Sequence, residues 1–240
     1  MTMEEQKFDK LYFDFWKPEL FGERLERECN LIVQIAELAP GSAILDLGAG
    51  IGRISFALAD RGMKVIAVER SDIAVAEAAL TPHPRCQFIT GNWRDRPWGQ
   101  QQFDCALLWF TTLCAGRTFD VETLAIARSA LVDHGTLLLE TRHWDRPNRQ
   151  FDRISERRSS NGRLIENHAY DPATGIQTTE EHFMFASNSL RRKYEIRRYS
   201  FAELREMCLQ VGFHHVDGYD ERGRALSNES ERAVLCARLN

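Results

Sequence analysis

The sequence lacks several features that would assign the protein to a specialised class. No apolar run approaches the roughly 18 residues that span a bilayer, so we expect no transmembrane helix and no membrane partner. The opening stretch MTMEEQKFDK has no apolar segment typical of a secretory signal. The six cysteines form no CxxC pair, which favours free thiols over disulfides or a zinc site. We therefore expect a cytoplasmic protein without a bound metal.

Positive charge is not in excess either. The chain has 31 Lys and Arg residues against 35 Asp and Glu residues, and its formal net charge is −4. Non-specific binding to nucleic acid relies on clustered positive charge, so we expect no nucleic-acid partner. The one basic cluster, RRKYEIRR at 191–198, is interpreted first as the exposed face of a strand. The alternative is a patch that meets an anionic substrate.

What the sequence does contain is a regular alternation of short apolar segments and amphipathic segments. Its 240 residues suffice for one α/β domain with an insertion. Strands are predicted at 43–47, 64–68, 86–90, 103–108 and 135–141, and helices at 18–38, 51–61, 72–80 and 118–132. Nearly continuous apolar strands are typical of parallel strands buried on both faces. The expected fold class is α/β, with a doubly wound, Rossmann-like, seven-stranded and mostly parallel sheet.

The pattern changes after residue 145. Residues 145–162 are polar and are predicted to be a loop. A turn at 171–175, with the sequence DPATG, separates apolar–polar segments that predict an antiparallel extension of the sheet. A capping box at Ser200 and Glu203 then predicts a helix that ends near Gly212. Two last strands are predicted at 213–219 and 232–239.

A glycine-rich segment, ILDLGAGIGR at 44–53, joins the first predicted strand to the first predicted helix. Glycines allow a backbone to approach a ligand closely, and the N-terminus of a helix attracts a carboxylate or a phosphate. Two classes of cofactor therefore fit this loop. One is a dinucleotide, and the other is S-adenosylmethionine with its methionyl carboxylate.

Three residues near the loop bear on this choice. The dinucleotide fingerprint requires a small residue where this chain has Arg53. Asp46 places a negative charge where a pyrophosphate would approach, and it suits the methionyl ammonium group instead. Glu69, about 20 residues beyond the first glycine, is expected to bind a ribose diol in either class. Arg53 and Asp46 therefore favour S-adenosylmethionine.

These residues resemble motif I of the class I S-adenosylmethionine-dependent methyltransferases, in particular the small-molecule branch of secondary metabolism. Later segments resemble the family's landmarks in the same order, namely VIAVERS at 65–71, GNWRD at 91–95, FDCALLW at 103–109 and LVDHGTL at 131–137. The resemblance covers roughly 8–239 and implies S-adenosyl-L-methionine as the cofactor. It implies cofactor contacts from Tyr12, Asp46, Gly48, Ala49, Gly50, Gly52, Arg53, Glu69, Arg70, Asn92, Trp93 and Trp109.

The resemblance also assigns parts of the cofactor to individual residues. Glu69 is expected to bind the ribose and Asn92 the adenine amino group. Asn92 replaces the Asp that is common in the family, but its side-chain oxygen can still accept that hydrogen bond. Trp93 is expected to lie near the adenine, and Trp109, at the end of the fourth strand, near the transferred methyl group.

Aromatic residues before the main fold resemble the lid of small-molecule methyltransferases. They are Phe8, Tyr12, Phe13 and Trp16. The alternative is ordinary packing of an N-terminal helix. We expect residues 1–240 to form a single methyltransferase domain, with 1–40 as a helical lid and 145–199 as an inserted segment that covers the substrate.

The acceptor site is expected beyond the carboxyl ends of the fourth and fifth strands, where ligands of open α/β sheets bind. Glu140 and His143 are the candidates for orienting or deprotonating the acceptor, although the sequence slightly favours His143 as a surface histidine or one that acts only behind the site. The substrate-binding candidates are Trp16, Phe110, Thr111, Trp144, Tyr170 and Tyr194.

The predicted function is methylation of a small molecule, at nitrogen of an amine or of a heterocycle such as an azapteridine in bacterial secondary metabolism. Three alternatives stay open: a small-molecule O-methyltransferase, an NAD-dependent oxidoreductase, and a non-catalytic module that binds S-adenosylmethionine. Methylation of nucleic-acid amines is disfavoured, because WFTT at 109–112 replaces the [N/D]-P-P-[Y/F] segment of those enzymes. The oligomeric state is not predicted.

Overall fold

The apolar segments of the first half of the chain become the strands of one sheet in a computed structural model, which describes residues 10–110, 112–145 and 152–239. The helices in these ranges are Lys10–Leu20 (α1), Glu23–Ile35 (α2), Arg53–Asp60 (α3), Asp72–Ala78 (α4), Arg117–Ala130 (α5) and Phe201–Gln210 (α6). The strands are Ala43–Leu47 (β1), Lys64–Glu69 (β2), Cys86–Thr90 (β3), Phe103–Leu108 (β4), Leu131–Arg142 (β5), Ile154–Ser159 (β6), Gly162–Asp171 (β7), Ile176–Met184 (β8), Ser189–Arg197 (β9), His215–Tyr219 (β10) and Arg232–Arg238 (β11).

Seven strands form the main sheet in the order β10-β11-β5-β4-β1-β2-β3. The pairs from β5 to β3 are parallel, and β11 runs antiparallel to both β5 and β10. This confirms the predicted doubly wound, Rossmann-like and mostly parallel sheet. Because β1, β2, β4 and β5 run the same way, the loops that follow them meet at one edge.

Both faces of this sheet are buried. On one face, Leu45 and Leu108 pack in a cluster with Leu204 of α6. On the other face, Ile44 and Leu107 pack in a second cluster with residues of α2 and α3. Burial on both faces explains why the strand sequences are continuous apolar runs and do not alternate between apolar and polar residues.

The second sheet has four antiparallel strands in the order β6-β7-β8-β9 and confirms the predicted antiparallel extension. Side chains of β8 alternate between buried and partly or fully exposed. At one end of its buried face, Leu164 and Phe183 pack against Phe15 of α1. The other side chains of β8 on that face, Gln177, Thr179 and Glu181, are polar, and they contribute to the second half of the site described below.

Three boundaries differ from the predictions. The helix predicted at 18–38 is two helices, because Gly22 lies between them with a φ of 66° that an α-helix cannot contain. The strand predicted at 135–141 begins at Leu131, since that residue pairs with Phe103. The loop predicted at 145–162 contains β6, whose polar composition is typical of an edge strand with one solvated face.

All six cysteines are free thiols, and all but Cys86 are fully buried. In the described ranges of the chain, the helices are too short or too polar for any of them to cross a membrane.

Candidate active site

A cavity of about 390 Å³ opens where the loops after β1, β2, β4 and β5 meet the buried face of the second sheet. Helix α1 closes a third side with Tyr12 and Trp16. The site therefore lies at the carboxyl ends of the parallel strands, as expected for an open α/β sheet.

The glycine-rich loop after β1 supplies the floor of the cavity. Gly48, Gly50 and Gly52 have φ values of 77°, 58° and 80°, in the left-handed region where other residues are strained. Gly48 and Gly50 line the cavity, together with Ala49 between them. Gly52 does not line the cavity. A Cβ at Gly52 would meet the rings of Phe56 and Phe88 at 2.6 and 2.9 Å. The role of Gly52 is therefore close packing beneath the loop.

Asp46 lies at the start of this loop and is 3% exposed. The Ser55 hydroxyl donates a hydrogen bond of 2.5 Å to its Oδ2. Burial raises the pKa of Asp46 to about 6, against the opposing effects of Ser55 and Arg53. Because burial penalises its charged form, this carboxylate favours a cation placed beside it in the cavity.

Glu69, at the end of β2, connects the glycine loop to the end of β2 by hydrogen bonds. Its Oε2 accepts a hydrogen bond from the backbone N–H of Gly50, and its Oε1 accepts from those of Arg70 and Ser71, each at 2.8 Å. Glu69 and Arg70 both line the cavity. Arg53, on the first turn of α3, also lines it and forms an ion pair with Glu28 of α2.

The two residues expected at the adenine differ in position. Trp93 is buried and lines the cavity, and its indole N–H donates to the Thr123 hydroxyl at 3.3 Å. Asn92 is exposed and lies outside the lining of the cavity. Its side-chain oxygen caps the short 3-10 helix Trp93–Asp95 by accepting from the backbone N–H of Arg94 at 3.0 Å. Asn92 therefore holds the segment that carries Trp93.

Helix α1 places three of the predicted lid aromatics at the cavity, namely Tyr12, Phe13 and Trp16. The Tyr12 ring lies edge-on to Phe183 with centroids 5.9 Å apart, and the Arg192 guanidinium lies 4.4 Å from its centre. Burial raises the pKa of Tyr12 to about 12. Trp16 also lines the cavity, and its indole N–H is buried without a hydrogen-bond acceptor among the described residues. Phe8 lies outside the described residues.

Neither of the two residues expected to orient or deprotonate the acceptor lines the cavity. Glu140 is 3% exposed, forms an ion pair with Arg232 and accepts a hydrogen bond from the backbone N–H of Phe110 at 2.9 Å. His143 is 5% exposed, with its Nδ1 3.2 Å from the Ser230 carbonyl oxygen. The physical reason is that both side chains are held by residues at or just before the start of β11, Glu140 by Arg232 and His143 by the Ser230 carbonyl.

The residues after β4 do reach the cavity. Trp109 is 5% exposed, and its indole N–H has no hydrogen-bond acceptor among the described residues. Phe110 has a φ of 64°, and three guanidinium groups lie 5.4–5.5 Å from its ring centre. Thr111 lies outside the described residues.

Of the remaining substrate-binding candidates, two line the cavity and one does not. Trp144 and Tyr194 line the cavity. Tyr170 does not, and it is 38% exposed. Both Trp144 and Tyr170 contact the Arg198 guanidinium, which lies 4.2 and 4.6 Å from their ring centres.

Sequence reasoning missed a row of charged residues across the buried face of the second sheet. Glu166 of β7 lies directly opposite Glu181 of β8, which lies directly opposite Arg192 of β9. All three line the cavity. The first interpretation of 191–198 as an exposed face is wrong for Arg192, because strand alternation turns it inward while Arg191 and Lys193 are exposed. The alternation was visible in the sequence, but the pairing of the three strands was not.

Glu181 is the most unusual member of this row. It is 5% exposed, and its Oε2 has no hydrogen-bond donor among the described residues. Arg192 Nη1 lies 3.6 Å from that oxygen. Burial and the charge of Glu166 raise the pKa of Glu181 to about 7, while Arg192 and Tyr194 act to lower it.

A second row of the same face contains His168 and Thr179. His168 lines the cavity, and its Nδ1 lies 3.0 Å from the Thr179 hydroxyl. Burial lowers the pKa of His168, so its neutral form is favoured. In the described part of the chain, no group of three or more His, Cys, Asp or Glu side chains is arranged to hold a metal ion.

Comparison with known proteins gives two kinds of match. Residues 44–135 match the family model of the methyltransferase domain, which covers β1 to the first part of β5. No curated protein matches the chain.

Solved structures share the fold over most of the chain. The methyltransferase CcbJ from Streptomyces caelestis is 22% identical, with 89% of each chain covered and a TM-score of 0.77. CalS10, an amino pentose methyltransferase from Micromonospora echinaspora, is 16% identical, with 98% of this chain and 99% of that chain covered and a TM-score of 0.73. The sugar N-methyltransferase KedS8 from Streptoalloteichus is 13% identical, with 98% and 96% covered and a TM-score of 0.73.

The chain shares the fold of these methyltransferases, and its glycine-rich loop lies in the segment that matches the methyltransferase-domain model. Among the similar structures, CalS10 is described with S-adenosylmethionine bound. The residues present fit that cofactor, because a buried carboxylate, Asp46, and a loop of left-handed glycines line the same cavity.

Proposed function

We propose that this protein transfers the methyl group of S-adenosylmethionine to a nitrogen atom of a small molecule. The observation that carries the proposal is a single cavity with two different halves. One half is the glycine-rich loop and the ends of β2 and β4, and the other is the polar face of the second sheet. The volume of about 390 Å³ lies in the range of small-molecule sites.

The first half suits the cofactor. Asp46 would hold the methionyl ammonium and Glu69 the ribose, and the glycine loop lets the cofactor approach the backbone closely. Glu69 accepts three backbone hydrogen bonds, and a carboxylate has about four acceptor sites, so one ribose hydroxyl can still donate to Oε2. Trp93 would form the adenine wall. The bound cofactor supplies an electrophilic methyl group on a sulfonium, which is a good leaving group.

The second half suits a polar acceptor. Helix α1 and the second sheet enclose the cavity, so we propose that the N-terminal helix acts as a lid and that β6 to β9 cover the substrate within one domain. Enclosure aligns the acceptor with the cofactor and excludes water, and such proximity is worth roughly 7–11 kcal/mol in favourable cases.

Nitrogen is the proposed target for two reasons. Glu140 and His143 lie outside the cavity, and a neutral amine needs no general base in the transfer itself, whereas a hydroxyl does. In addition, CalS10 is named for an amino pentose and KedS8 for sugar N-methylation. We infer a small-molecule acceptor of this kind rather than a nucleic acid or a membrane.

A hydroxyl acceptor is the second candidate, and one observation favours it. His168 lines the cavity, and burial favours its neutral form, which is the form that accepts a proton. A small-molecule O-methyltransferase would use this histidine as its general base.

The test has two stages. We expect S-adenosylhomocysteine to bind in the micromolar range in a calorimetric titration, and NAD not to bind. An acceptor screen with radiolabelled S-adenosylmethionine should then label amines. Binding of NAD alone would contradict the class of reaction. Labelling of hydroxyl compounds that His168→Gln abolishes would establish O-methylation, and the absence of all transfer would establish a non-catalytic binding module.

A further inference from the structure

The buried face of the second sheet contains an arrangement that the methyl donor does not explain. Glu166 and Glu181 are directly opposite on antiparallel strands, and each is 5% exposed. Directly opposed residues have Cβ atoms about 4.5–5.5 Å apart, and like charges there are destabilising. Two opposed carboxylates do not stabilise a sheet, so a bound ligand is the better physical explanation for this pair.

The partners of these two carboxylates are incomplete. Glu166 accepts a hydrogen bond of 2.7 Å from the Ser155 hydroxyl, and Arg157 Nε lies 3.4 Å from the same oxygen. Glu181 has Arg192 at 3.6 Å from its Oε2, which is beyond a good hydrogen bond. That oxygen is buried and has no donor among the described residues. A buried carboxylate oxygen of this kind requires a donor, and the cavity is where it can come from.

Most other positively charged side chains that line the cavity form ion pairs with carboxylates outside it. Arg53 pairs with Glu28, Arg232 with Glu140 and Lys17 with Glu77. None of these three carboxylates lines the cavity. The cations on that side therefore do not supply the missing donor to Glu181.

On the basis of the proposed methyltransferase function, we propose that the acceptor is an aliphatic amine that binds in its ammonium form and donates to Glu181 Oε2, with Glu166 beside it. Because an ammonium has no lone pair, it would first give one proton to the Glu181 carboxylate. The neutral nitrogen can then take the methyl group as the carbon–sulfur bond of the donor breaks and S-adenosylhomocysteine leaves. Glu181 is thus the residue that selects the acceptor. An ammonium group offers three donors and a full positive charge. It would relieve the repulsion between the two carboxylates, whereas a neutral heterocycle or a hydroxyl would leave that repulsion in place.

The pH dependence of amine binding follows from the same group. The charged and titratable groups that face Glu181 are Glu166 of β7, Arg192 and Tyr194 of β9, and Tyr12 of α1. Burial raises the pKa of Glu181 to about 7. Only the ionised carboxylate attracts an ammonium, so amine affinity should rise with pH up to about 7 and level off above it, as long as the amine stays protonated.

The experiment uses full-length protein saturated with S-adenosylhomocysteine and a panel of cyclic aliphatic amines, which includes glucosamine. Each amine is paired with its N-acetyl counterpart, which has no positive charge. Calorimetry on this complex measures amine binding. A separate assay, in which radiolabelled S-adenosylmethionine replaces S-adenosylhomocysteine, measures methyl transfer. We expect at least tenfold tighter binding of the amine than of its N-acetyl counterpart.

The variants are Glu181→Gln, Glu181→Asp and the matched control Glu180→Gln, which changes the neighbouring exposed carboxylate on the opposite face of the sheet. We expect Glu181→Gln to raise the KM for the amine at least tenfold and to remove the pH dependence of binding. Affinity for S-adenosylhomocysteine should not change. Glu181→Asp should recover part of the amine affinity, and Glu180→Gln should behave as wild type.

The outcomes separate the two proposals. If wild type methylates amines and Glu181→Gln has an unchanged KM and pH profile, the assignment of Glu181 is wrong while the function stands. If no amine binds better than its N-acetyl counterpart, the inference is wrong. Failure to bind S-adenosylhomocysteine would instead contradict the proposed function. A loss of melting temperature in Glu181→Gln with unchanged amine affinity would show a purely structural role and overturn the inference.

Discussion

The backbone N–H of Phe110 donates a hydrogen bond of 2.9 Å to Oε2 of Glu140, across the ends of two neighbouring parallel strands. Phe110 has a φ of 64°, which is unusual for a residue other than glycine. The same carboxylate forms an ion pair with Arg232 of β11. Glu140 is therefore a positioning residue, which holds the loop after β4 at the wall of the cavity.

Replacement of Glu140 should destabilise the protein. Glu140→Ala leaves the Phe110 N–H and Arg232 without their acceptor, and each buried unsatisfied group costs about 1–3 kcal/mol. We expect a loss of at least that size in the free energy of unfolding, measured by urea denaturation. Glu122→Ala, which breaks an exposed pair with Arg94, is the control and should cost no more than about 1 kcal/mol. Equal effects of the two variants would contradict the positioning role.

Replacement of Glu69 should weaken cofactor binding. Glu69→Gln loses the charge that accepts three backbone hydrogen bonds around the glycine loop. Hydrogen bonds to charged groups contribute about 1.5–3 kcal/mol, so the Kd for S-adenosylhomocysteine should rise about 10- to 100-fold. Calorimetry measures this change, with Asp60→Asn on the exposed end of α3 as the control. An unchanged Kd would refute the ribose contact.

A methyl group at Gly48 should disturb the loop by two separable effects. Gly48→Ala strains a backbone with φ of 77° and places a Cβ 2.9 Å from Thr112 Cγ2. Gly99→Ala is the matched control, because its φ is 69° and nothing lies within 4 Å of the added Cβ. Left-handed strain costs about 1–2 kcal/mol in both. We expect a larger loss of unfolding free energy, and a loss of S-adenosylhomocysteine affinity, only for Gly48→Ala.

Cofactor affinity should depend on pH through Asp46. The pKa of this carboxyl is raised to about 6 in the free protein. The methionyl ammonium favours the ionised form, so binding lowers the pKa and releases a proton. The affinity for S-adenosylhomocysteine should therefore rise about tenfold from pH 5 to pH 7, since one pH unit below the pKa corresponds to one factor of ten. Calorimetry with Asp46→Asn should give a weaker and flat profile. A wild-type profile that is equally flat would contradict the ammonium contact.

The cofactor half of the site was largely predictable from local sequence. A strand, a glycine loop and a helix are consecutive in the chain, so the positions of Asp46, Gly48 and Gly50 follow from adjacency. Glu69 and Trp109 follow from the rule that parallel strands end at one edge. Asn92 is the exception, because its side chain caps a turn that sequence spacing alone did not reveal.

The acceptor half was not predictable in the same way. Glu140 and His143 were expected at the cavity because they lie at the end of β5 and just after it, but both are held by residues from the last part of the chain, Arg232 and Ser230. Glu166, Glu181 and Arg192 lie in one row only because three strands pair in one register. A shift of one residue in that register would turn each side chain to the other face.

The sequence by itself therefore determined the α/β class, the mostly parallel sheet and the glycine loop that faces the cofactor, because these depend on local periodicity and on residues adjacent in the chain. Only the tertiary structure decided which side chains face the acceptor. That choice depends on the pairing of distant strands and on the packing of α1 against the second sheet, and no short segment of the sequence encodes either contact.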